Sequence, residues 1–208
     1  MLPPAHYLSL LHCPCSHDSA LMLEGAAARC SSCQRRFPID ADGVLEMVDL
    51  QWLDSETARE LRGNMHYIPP DELTQAVLNE RQRMWKSYYS RNRKPNMRQL
   101  ARELADVSCD EVFFLGCGSG RDVEYVLSFM PLHTVYCSDL SLTSLQQVPY
   151  RLQPYALQMG LFTSDLSACP VKARTMPVVS VNALPHTQDI PAPVENLMRQ
   201  GVHNIFIN

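Results

Sequence analysis

Short apolar runs alternate with helical patterns in the second half of the chain. Five runs are typical of strands, namely Val112–Leu115, Thr134–Cys137, Leu161–Thr163, Val178–Val181 and Val202–Ile207. Helical spacing of apolar residues separates several of them, at 123–129, 140–148 and 194–200. Because strands that alternate with helices pair in parallel, the pattern predicts an α/β fold built on a parallel sheet.

The first half of the chain follows a different pattern. A short hairpin is predicted where Phe37–Ile39 precede an Asp42-Gly43 turn and a second apolar run at Val44–Val48. Further on, Pro69-Pro70 begin a helical pattern that Pro95 ends.

These signals divide the chain into three parts. The predicted division is a small β module at 6–48, a linker and helical cap at 49–95, and an α/β domain at 96–208. We expect the module and the domain to have separate cores.

Composition narrows the class of protein. The chain has 208 residues, of which 46% are hydrophobic and 19% charged, as in globular proteins. No apolar run is long enough for a membrane span, and the first residues lack the pattern of a secretory signal, so we expect a cytoplasmic protein without a membrane partner. The net charge of −4 argues against a general nucleic-acid binder.

A glycine-rich loop follows the first of the apolar strands. It contains Gly116, Gly118 and Gly120, which allow a ligand to approach the backbone closely. A dinucleotide fingerprint would need a further glycine at the position of Arg121. Asp139 ends the next strand, where a carboxylate can accept hydrogen bonds from both hydroxyls of a ribose. The loop therefore indicates a nucleoside-containing ligand.

Five ordered segments resemble the class I S-adenosylmethionine-dependent methyltransferases. They are VFFLGCGSG at 112–120, YCSDLS at 136–141, FTSDL at 162–166, CPVK at 169–172 and MPVVSVNALPHTQD at 176–189. The resemblance covers about residues 95–208 and implies a Rossmann-like methyltransferase sheet that binds S-adenosyl-L-methionine. It implies cofactor-binding roles for Leu115, Gly116, Cys117, Gly118, Gly120, Asp139, Leu140, Asp165, Leu166 and Asn182. His186 follows the fourth strand and is a candidate general base; alternatively, it is a histidine near the rim with no proton to move.

The chain departs from that family in two places. The family often has an acidic residue where Phe114 stands here, and Asp122 is a candidate to compensate. The family's sheet also has two further strands after the fifth. We expect these last two strands to be lacking, which leaves Val202–Ile207 as an open edge that a second copy or another partner would cover.

Four cysteines near the N-terminus form two close pairs. Cys13 and Cys15 are separated by 14 residues from Cys30 and Cys33, and two such pairs can close a tetrahedral zinc site. The surrounding sequence resembles the zinc ribbon fused to some bacterial rRNA guanine-N1 methyltransferases, a ribbon that also occurs as a free activator subunit. The resemblance implies one structural Zn²⁺. Because the first pair is C-x-C, the alternatives are a histidine ligand, His12 or His17, or cysteines that hold no metal, as free thiols or a disulfide.

Residues 81–98 contain seven lysines and arginines and no acidic residue, with Trp85, Tyr88 and Tyr89 among them. Cations and aromatic rings together suit phosphates and stacked bases, so an RNA contact is one interpretation. The preferred interpretation is a helix whose aromatic face packs on the core and whose charges lie in solvent.

The leading functional prediction is an S-adenosylmethionine-dependent methyltransferase that acts on RNA or on a small molecule. The stretch after the fourth strand lacks the signature that holds planar amines, so adenine amines and glutamine amides are less expected as acceptors. An alternative is a non-catalytic methyltransferase-like protein that binds through its ribbon and basic helix. A nicotinamide oxidoreductase is a third possibility, which Arg121 weakens.

Overall fold

The computed structural model describes residues 2–15, 19–48, 94–166, 169–172, 176–181, 183–184, 187 and 191–207. Within these ranges, no helix is both long and apolar enough to cross a membrane. Residues 49–93 of the predicted linker and helical cap, most of the basic segment at 81–98, and Asn182, His186 and His17 lie outside the described residues. The predictions for them stay predictions.

The N-terminal part begins with one helical turn, α1 (Pro4–Tyr7), and a 3-10 turn at Leu8–Leu10. A small antiparallel sheet follows, with strands in the order β1 (Leu21–Leu23), β2 (Ala27–Cys30) and β3 (Arg36–Pro38).

The hairpin predicted after β3 is confirmed. Ile39 bridges Leu45 in an antiparallel pair. The turn between them is held by the carboxylate of Asp40, which accepts hydrogen bonds from the backbone N–H groups of Asp42 and Val44 at 2.9 and 2.8 Å. Because the aspartate side chain bonds to backbone groups of its own turn, the residues of the turn were enough to predict it.

The second sheet has five parallel strands in the described part of the chain. They are β4 (Glu111–Leu115), β5 (Thr134–Asp139), β6 (Gln158–Thr163), β7 (Val178–Ser180) and β8 (Ile205–Ile207). Their order in the sheet is β6-β5-β4-β7-β8. The order reverses at β4, as in doubly wound sheets, and the predicted Rossmann-like α/β fold is confirmed.

Five helices accompany this sheet in the same part of the chain. They are α2 (Lys94–Asp106), α3 (Arg121–Leu127), α4 (Leu142–Leu145), α5 (Val148–Leu152) and α6 (Pro191–Arg199). The single helix expected at 140–148 is wrong, because α4 ends at Leu145 and α5 begins at Val148. Pro149 explains the break: proline has no N–H to continue a helix but fits the first turn of a new one.

The two faces of the large sheet are covered by different parts of the chain. Along β4, Val112 and Phe114 pack in one core cluster, which also contains residues of α2, α3 and α5. Phe113 and Leu115 point to the opposite face, and there they share a second cluster with the N-terminal module, including Tyr7. The expectation of separate cores is therefore wrong. Because β4 is apolar on both faces, each face needs a cover, and the module provides one of them.

The two edges of the sheet differ. At the β6 edge, the N–H of Leu45 donates to the oxygen of Leu161 at 2.9 Å, and the N–H of Thr163 donates to the oxygen of Leu45 at 2.8 Å. The module thus extends the sheet beyond β6 by a parallel bridge. At the other edge, the pairing described for β8 is with β7 alone. A second copy or a partner at 202–207 stays a prediction.

Candidate functional site

The glycine loop between β4 and α3 lies at the carboxyl end of the parallel strands, beside the point where the strand order reverses. Gly116 has φ of +67°, and a Cβ there would overlap the side chain of Ala183, in the loop that follows β7. Gly118 has φ of +54°, and a Cβ there would meet nothing within 4 Å. Gly116 is therefore required by packing, whereas Gly118 exposes its backbone to open space that a ligand can enter.

Asp139 holds this loop in place from the end of β5. Its Oδ2 accepts a hydrogen bond from the N–H of Gly118 at 2.8 Å, and its Oδ1 accepts one from the N–H of Ser141 at 2.9 Å. The N–H of Cys117 donates to the oxygen of Ser138 at 3.0 Å. A carboxylate oxygen can accept more than one hydrogen bond, so holding the loop does not prevent Asp139 from also accepting bonds from the hydroxyls of a ribose.

The segment after β6 lies next to Asp139. The N–H of Ser164 donates to the backbone oxygen of Asp139 at 3.0 Å, and half-buried Asp165 follows. The side chain of Leu166 lies 3.6 Å from the place of a Cβ on Gly116. The structure thus brings the glycine loop, Asp139 and the Asp165-Leu166 segment to one edge of the sheet.

Other predicted residues flank the glycine loop or Asp139, and their cofactor-binding roles stay predictions. The side chains of Leu115 and Cys117 are buried in the two core clusters, and burial raises the pKa of the Cys117 thiol, which stays neutral. Leu140 is half-buried beside Asp139. The oxygen of Leu184 accepts hydrogen bonds from the N–H and hydroxyl of Thr187 at 2.9 and 2.7 Å.

The departure at position 114 from the methyltransferases that the sequence resembles has a structural counterpart. Phe114 is buried in the core cluster that also contains residues of α2, α3 and α5. An apolar ring therefore occupies the position where the resembled methyltransferases often have an acid. Asp122 is buried in the first turn of α3, directly after the glycine loop. A carboxylate is therefore present near the loop, although at another position in the sequence.

Arg151 is a positioning residue that the sequence did not reveal. Its Nε donates to the backbone oxygen of Ser119 at 2.8 Å, and its Nη1 donates to the carboxylate of Glu124 at 3.1 Å. The side chain is only 12% exposed. Arg151 therefore ties α5 to the glycine loop and to α3. The contact joins residues 32 positions apart and leaves no local pattern.

The four N-terminal cysteines converge on one point. All four sulfur atoms lie within 4.8 Å of one another. The Sγ of Cys13 lies 2.6 Å from that of Cys15 and 3.6 Å from that of Cys33, and Cys15 and Cys33 are 2.8 Å apart. A tetrahedral Zn²⁺ with Zn–S bonds of about 2.3 Å needs sulfurs about 3.8 Å apart. The donor set fits one such ion after a small spreading of the sulfurs.

Within the cluster the thiolate is favoured at Cys30, whereas burial raises the pKa of the Cys13 and Cys15 thiols. At Cys30, burial is the largest single influence and raises the pKa of the thiol, but hydrogen bonds from the N–H groups of Cys33 and Ser32 and from two neighbouring thiols together lower it to about 6. The thiolate, which is the form that binds metal, is therefore accessible near neutral pH. The ring of His12 is buried beside Cys13, with Nδ1 3.0 Å from the backbone oxygen of Cys13. With four sulfurs already converging, the geometry favours four cysteines over a set that includes His12.

Comparisons with known proteins give no family for the chain. No protein-family model and no curated protein matches it. Solved structures do match. An S-adenosylmethionine-dependent methyltransferase from Clostridium acetobutylicum is 13% identical, with a TM-score of 0.49 over 62% of this chain and 53% of that chain. Magnesium protoporphyrin IX methyltransferase from Synechocystis with bound SAM is 20% identical, with a TM-score of 0.46 over 55% of this chain and 57% of that chain.

A third similar structure is the methyltransferase domain of bacterial CtHen1, which is 17% identical with a TM-score of 0.46 over 54% of this chain and 63% of that chain. The chain spans less than two thirds of the length of each of these three chains. At these low identities, the function of this chain is inferred from its own residues.

Proposed function

We propose that the protein is an S-adenosylmethionine-dependent methyltransferase. The observation that carries the proposal is the hydrogen bond from the N–H of Gly118 to the carboxylate of Asp139. It places a carboxylate next to a glycine backbone that faces open space, at the carboxyl edge of a doubly wound sheet. Asp165 lies one strand further along the same edge. In this arrangement Asp139 receives the ribose hydroxyls, Asp165 lies on the adenine side, and the methionine part lies over Gly118.

The same loop argues against a nicotinamide dinucleotide. A Rossmann dinucleotide site places its pyrophosphate at the start of the helix after the glycine loop. In this chain that helix begins with Arg121, and its first turn buries the carboxylate of Asp122. A dinucleotide fingerprint has a glycine where this helix has Arg121. S-adenosylmethionine has no pyrophosphate to place at this position.

Methyl transfer requires little of the protein beyond positioning. The acceptor's lone pair forms a bond to the methyl carbon while the carbon–sulfur bond breaks and S-adenosylhomocysteine leaves with the electron pair. Because the sulfonium is already a good leaving group, alignment supplies much of the acceleration, and a base is needed only where the nucleophile holds a proton. His186 is proposed for that role. The acceptor is proposed to be RNA, held in part by the basic segment 81–98, or a small molecule.

We further propose that Cys13, Cys15, Cys30 and Cys33 hold one structural Zn²⁺. Four protein sulfurs leave no open position for substrate, which is typical of structural rather than catalytic zinc. Elemental analysis of protein prepared without chelator is expected to give one equivalent of zinc per chain. Less than about a tenth of an equivalent would contradict the assignment.

Calorimetry with S-adenosylmethionine, S-adenosylhomocysteine and NADH tests the cofactor. Binding of the first two and not of NADH is expected. Asp139→Ala is expected to weaken S-adenosylhomocysteine roughly 10-fold to 100-fold, because two hydroxyls lose their acceptor at about 1–3 kcal/mol. The matched control is Asp106→Ala, which removes an exposed carboxylate at the end of α2.

Two outcomes would overturn the assignment. A folded Asp139→Ala protein that binds S-adenosylhomocysteine as tightly as the parent would remove Asp139 from the cofactor site. If none of the three ligands binds, the non-catalytic binding protein becomes the better account.

A further inference from the structure

Residues 40–48, here named the bridging segment, connect the cysteine cluster to the proposed cofactor site. The segment follows β3 with only Ile39 between them, and it runs along the outer edge of β6. Leu45 donates to the oxygen of Leu161 and accepts from the N–H of Thr163. The segment therefore reaches the end of β6 that leads to Asp165.

Thr163 joins the bridging segment to Asp139. Its buried hydroxyl oxygen accepts hydrogen bonds from the N–H groups of Met47 and Val48 at 2.8 and 2.9 Å. On its other side, Thr163 is the register partner of Asp139 in the β5–β6 pair. One residue thus contacts the module through its side chain and the carboxylate-bearing strand through its backbone.

A second contact anchors the bridging segment beside Asp139. The Oδ2 of Asp40 accepts a hydrogen bond from the Nε2 of Gln146 at 2.9 Å. Gln146 directly follows α4, and α4 begins just after Asp139 and is capped by Ser141. The bridging segment therefore supports both strand ends from which the proposed adenosine contacts extend.

The opposite end of this path is the cysteine cluster. Cys30 ends β2 and its N–H donates to the oxygen of Arg35, which directly precedes β3. The turn that contains Cys33 closes this β2–β3 pair. An ion held by all four sulfurs would tie the turn to Cys13 and Cys15, and so would fix the position of β3 and of the bridging segment after it.

We propose that metal binding at the cysteine cluster and cofactor binding at the sheet edge are coupled through the bridging segment and Thr163, so that each ligand raises the affinity for the other. Thr163 is the positioning residue of this coupling. The proposal rests on the proposed function, because it takes S-adenosylmethionine as the cofactor. Reciprocity follows from linkage: the factor by which metal changes cofactor affinity equals the factor by which cofactor changes metal affinity.

The test measures S-adenosylhomocysteine affinity of the full chain by calorimetry, with zinc bound and after removal of zinc by a chelator. Coupling of ordinary size predicts affinity about 5-fold to 150-fold weaker without zinc. In Thr163→Val, which keeps the side chain's shape but removes the acceptor for two N–H groups, binding is expected to be weaker and to depend little on zinc. Thr134→Val is the matched control, because Thr134 is also buried but lies at the opposite end of β5.

The reverse measurement does not depend on activity. Saturating S-adenosylhomocysteine is expected to weaken the chelator's competition for zinc in the parent and in Thr134→Val, by the same factor as above, and to leave it unchanged in Thr163→Val. This readout also serves if the zinc-free protein unfolds, since each variant starts in the metal-bound form. A reciprocal effect of full size in Thr163→Val would overturn the role of Thr163.

The outcomes separate the two proposals. Equal S-adenosylhomocysteine affinity with and without zinc would overturn the coupling and leave the proposed function standing. Absence of S-adenosylhomocysteine binding in the zinc-loaded parent would overturn the proposed function, and the coupling with it. Absence of zinc from the purified protein would overturn the coupling and the zinc assignment, and would leave the proposed cofactor standing.

Discussion

Two glycines of the same loop are expected to respond differently to a single added methyl group. Both Gly116 and Gly118 have left-handed φ, so alanine at either position carries a strain of about 1–2 kcal/mol. At Gly116 the new Cβ would also overlap Ala183, and overpacking of this kind adds about 1–3 kcal/mol. At Gly118 it would meet no protein atom within 4 Å.

The expected losses of unfolding free energy are therefore about 2–5 kcal/mol for Gly116→Ala and about 1–2 kcal/mol for Gly118→Ala. Each kcal/mol corresponds to roughly 2–4 °C in Tm for a chain of this size. For cofactor binding we expect the opposite ranking: relative to its loss of stability, Gly118→Ala should lose more affinity for S-adenosylhomocysteine than Gly116→Ala. Gly118→Ala keeps its fold, but its methyl group occupies the space proposed for the cofactor, and we expect at least ~10-fold weaker S-adenosylhomocysteine binding, about 1.4 kcal/mol.

Thermal denaturation and calorimetry on the two variants and on Ser119→Ala measure both effects. Ser119→Ala is the control, because Ser119 lies in the same loop. The hydrogen bond from Arg151 goes to the backbone oxygen of Ser119, which the substitution keeps. Gly118→Ala that binds S-adenosylhomocysteine as tightly as Ser119→Ala would refute the placement of the cofactor over this loop. Equal stability of Gly116→Ala and Gly118→Ala would refute the packing argument.

Three further predictions concern the supports of the site. In Gly160→Ala the added Cβ would lie 2.8 Å from Cδ1 of Tyr136 and 3.0 Å from Cδ1 of Tyr7, so denaturant titration is expected to show a loss of about 1–3 kcal/mol; an unchanged midpoint would contradict the docking of α1 on the sheet. Arg151→Lys cannot reproduce the forked contact that includes the Ser119 oxygen. The same titration is expected to show a loss of about 1–2 kcal/mol in unfolding free energy, and no loss would contradict this prediction. Removal of zinc is expected to lower the Tm of one cooperative transition, because module and sheet share a core; two separate calorimetric transitions would show independent units.

The sequence predicted the parts of the fold that depend on local patterns. The run that forms β4 is continuously apolar because both of its faces are buried, and the alternation of such runs with helical segments was enough to predict the parallel sheet. The position of Asp139 was predicted for a similar reason, because the end of β5 is visible in the sequence as the end of an apolar run.

Contacts between distant parts of the chain could not be predicted in this way. The hydrogen bond from Met47 to Thr163 joins residues 116 positions apart, and the sequence around either residue does not indicate the other. Val44–Val48 has the pattern of a hairpin arm, which it is, but nothing in that pattern shows that its other side pairs with β6. The shared core was not predicted, for the same reason. An apolar residue in a sequence indicates that it will be buried, but not which other residues will pack against it.

The measurement that tests the central claim most directly is the structure of crystals grown with S-adenosylhomocysteine. The account predicts density for the ligand at the carboxyl edge of the sheet, with its ribose hydroxyls on the Asp139 carboxylate, its adenine towards Asp165 and its homocysteine part over Gly118. Density at another edge or face of the sheet, or a ribose bound without contact to Asp139, would contradict it.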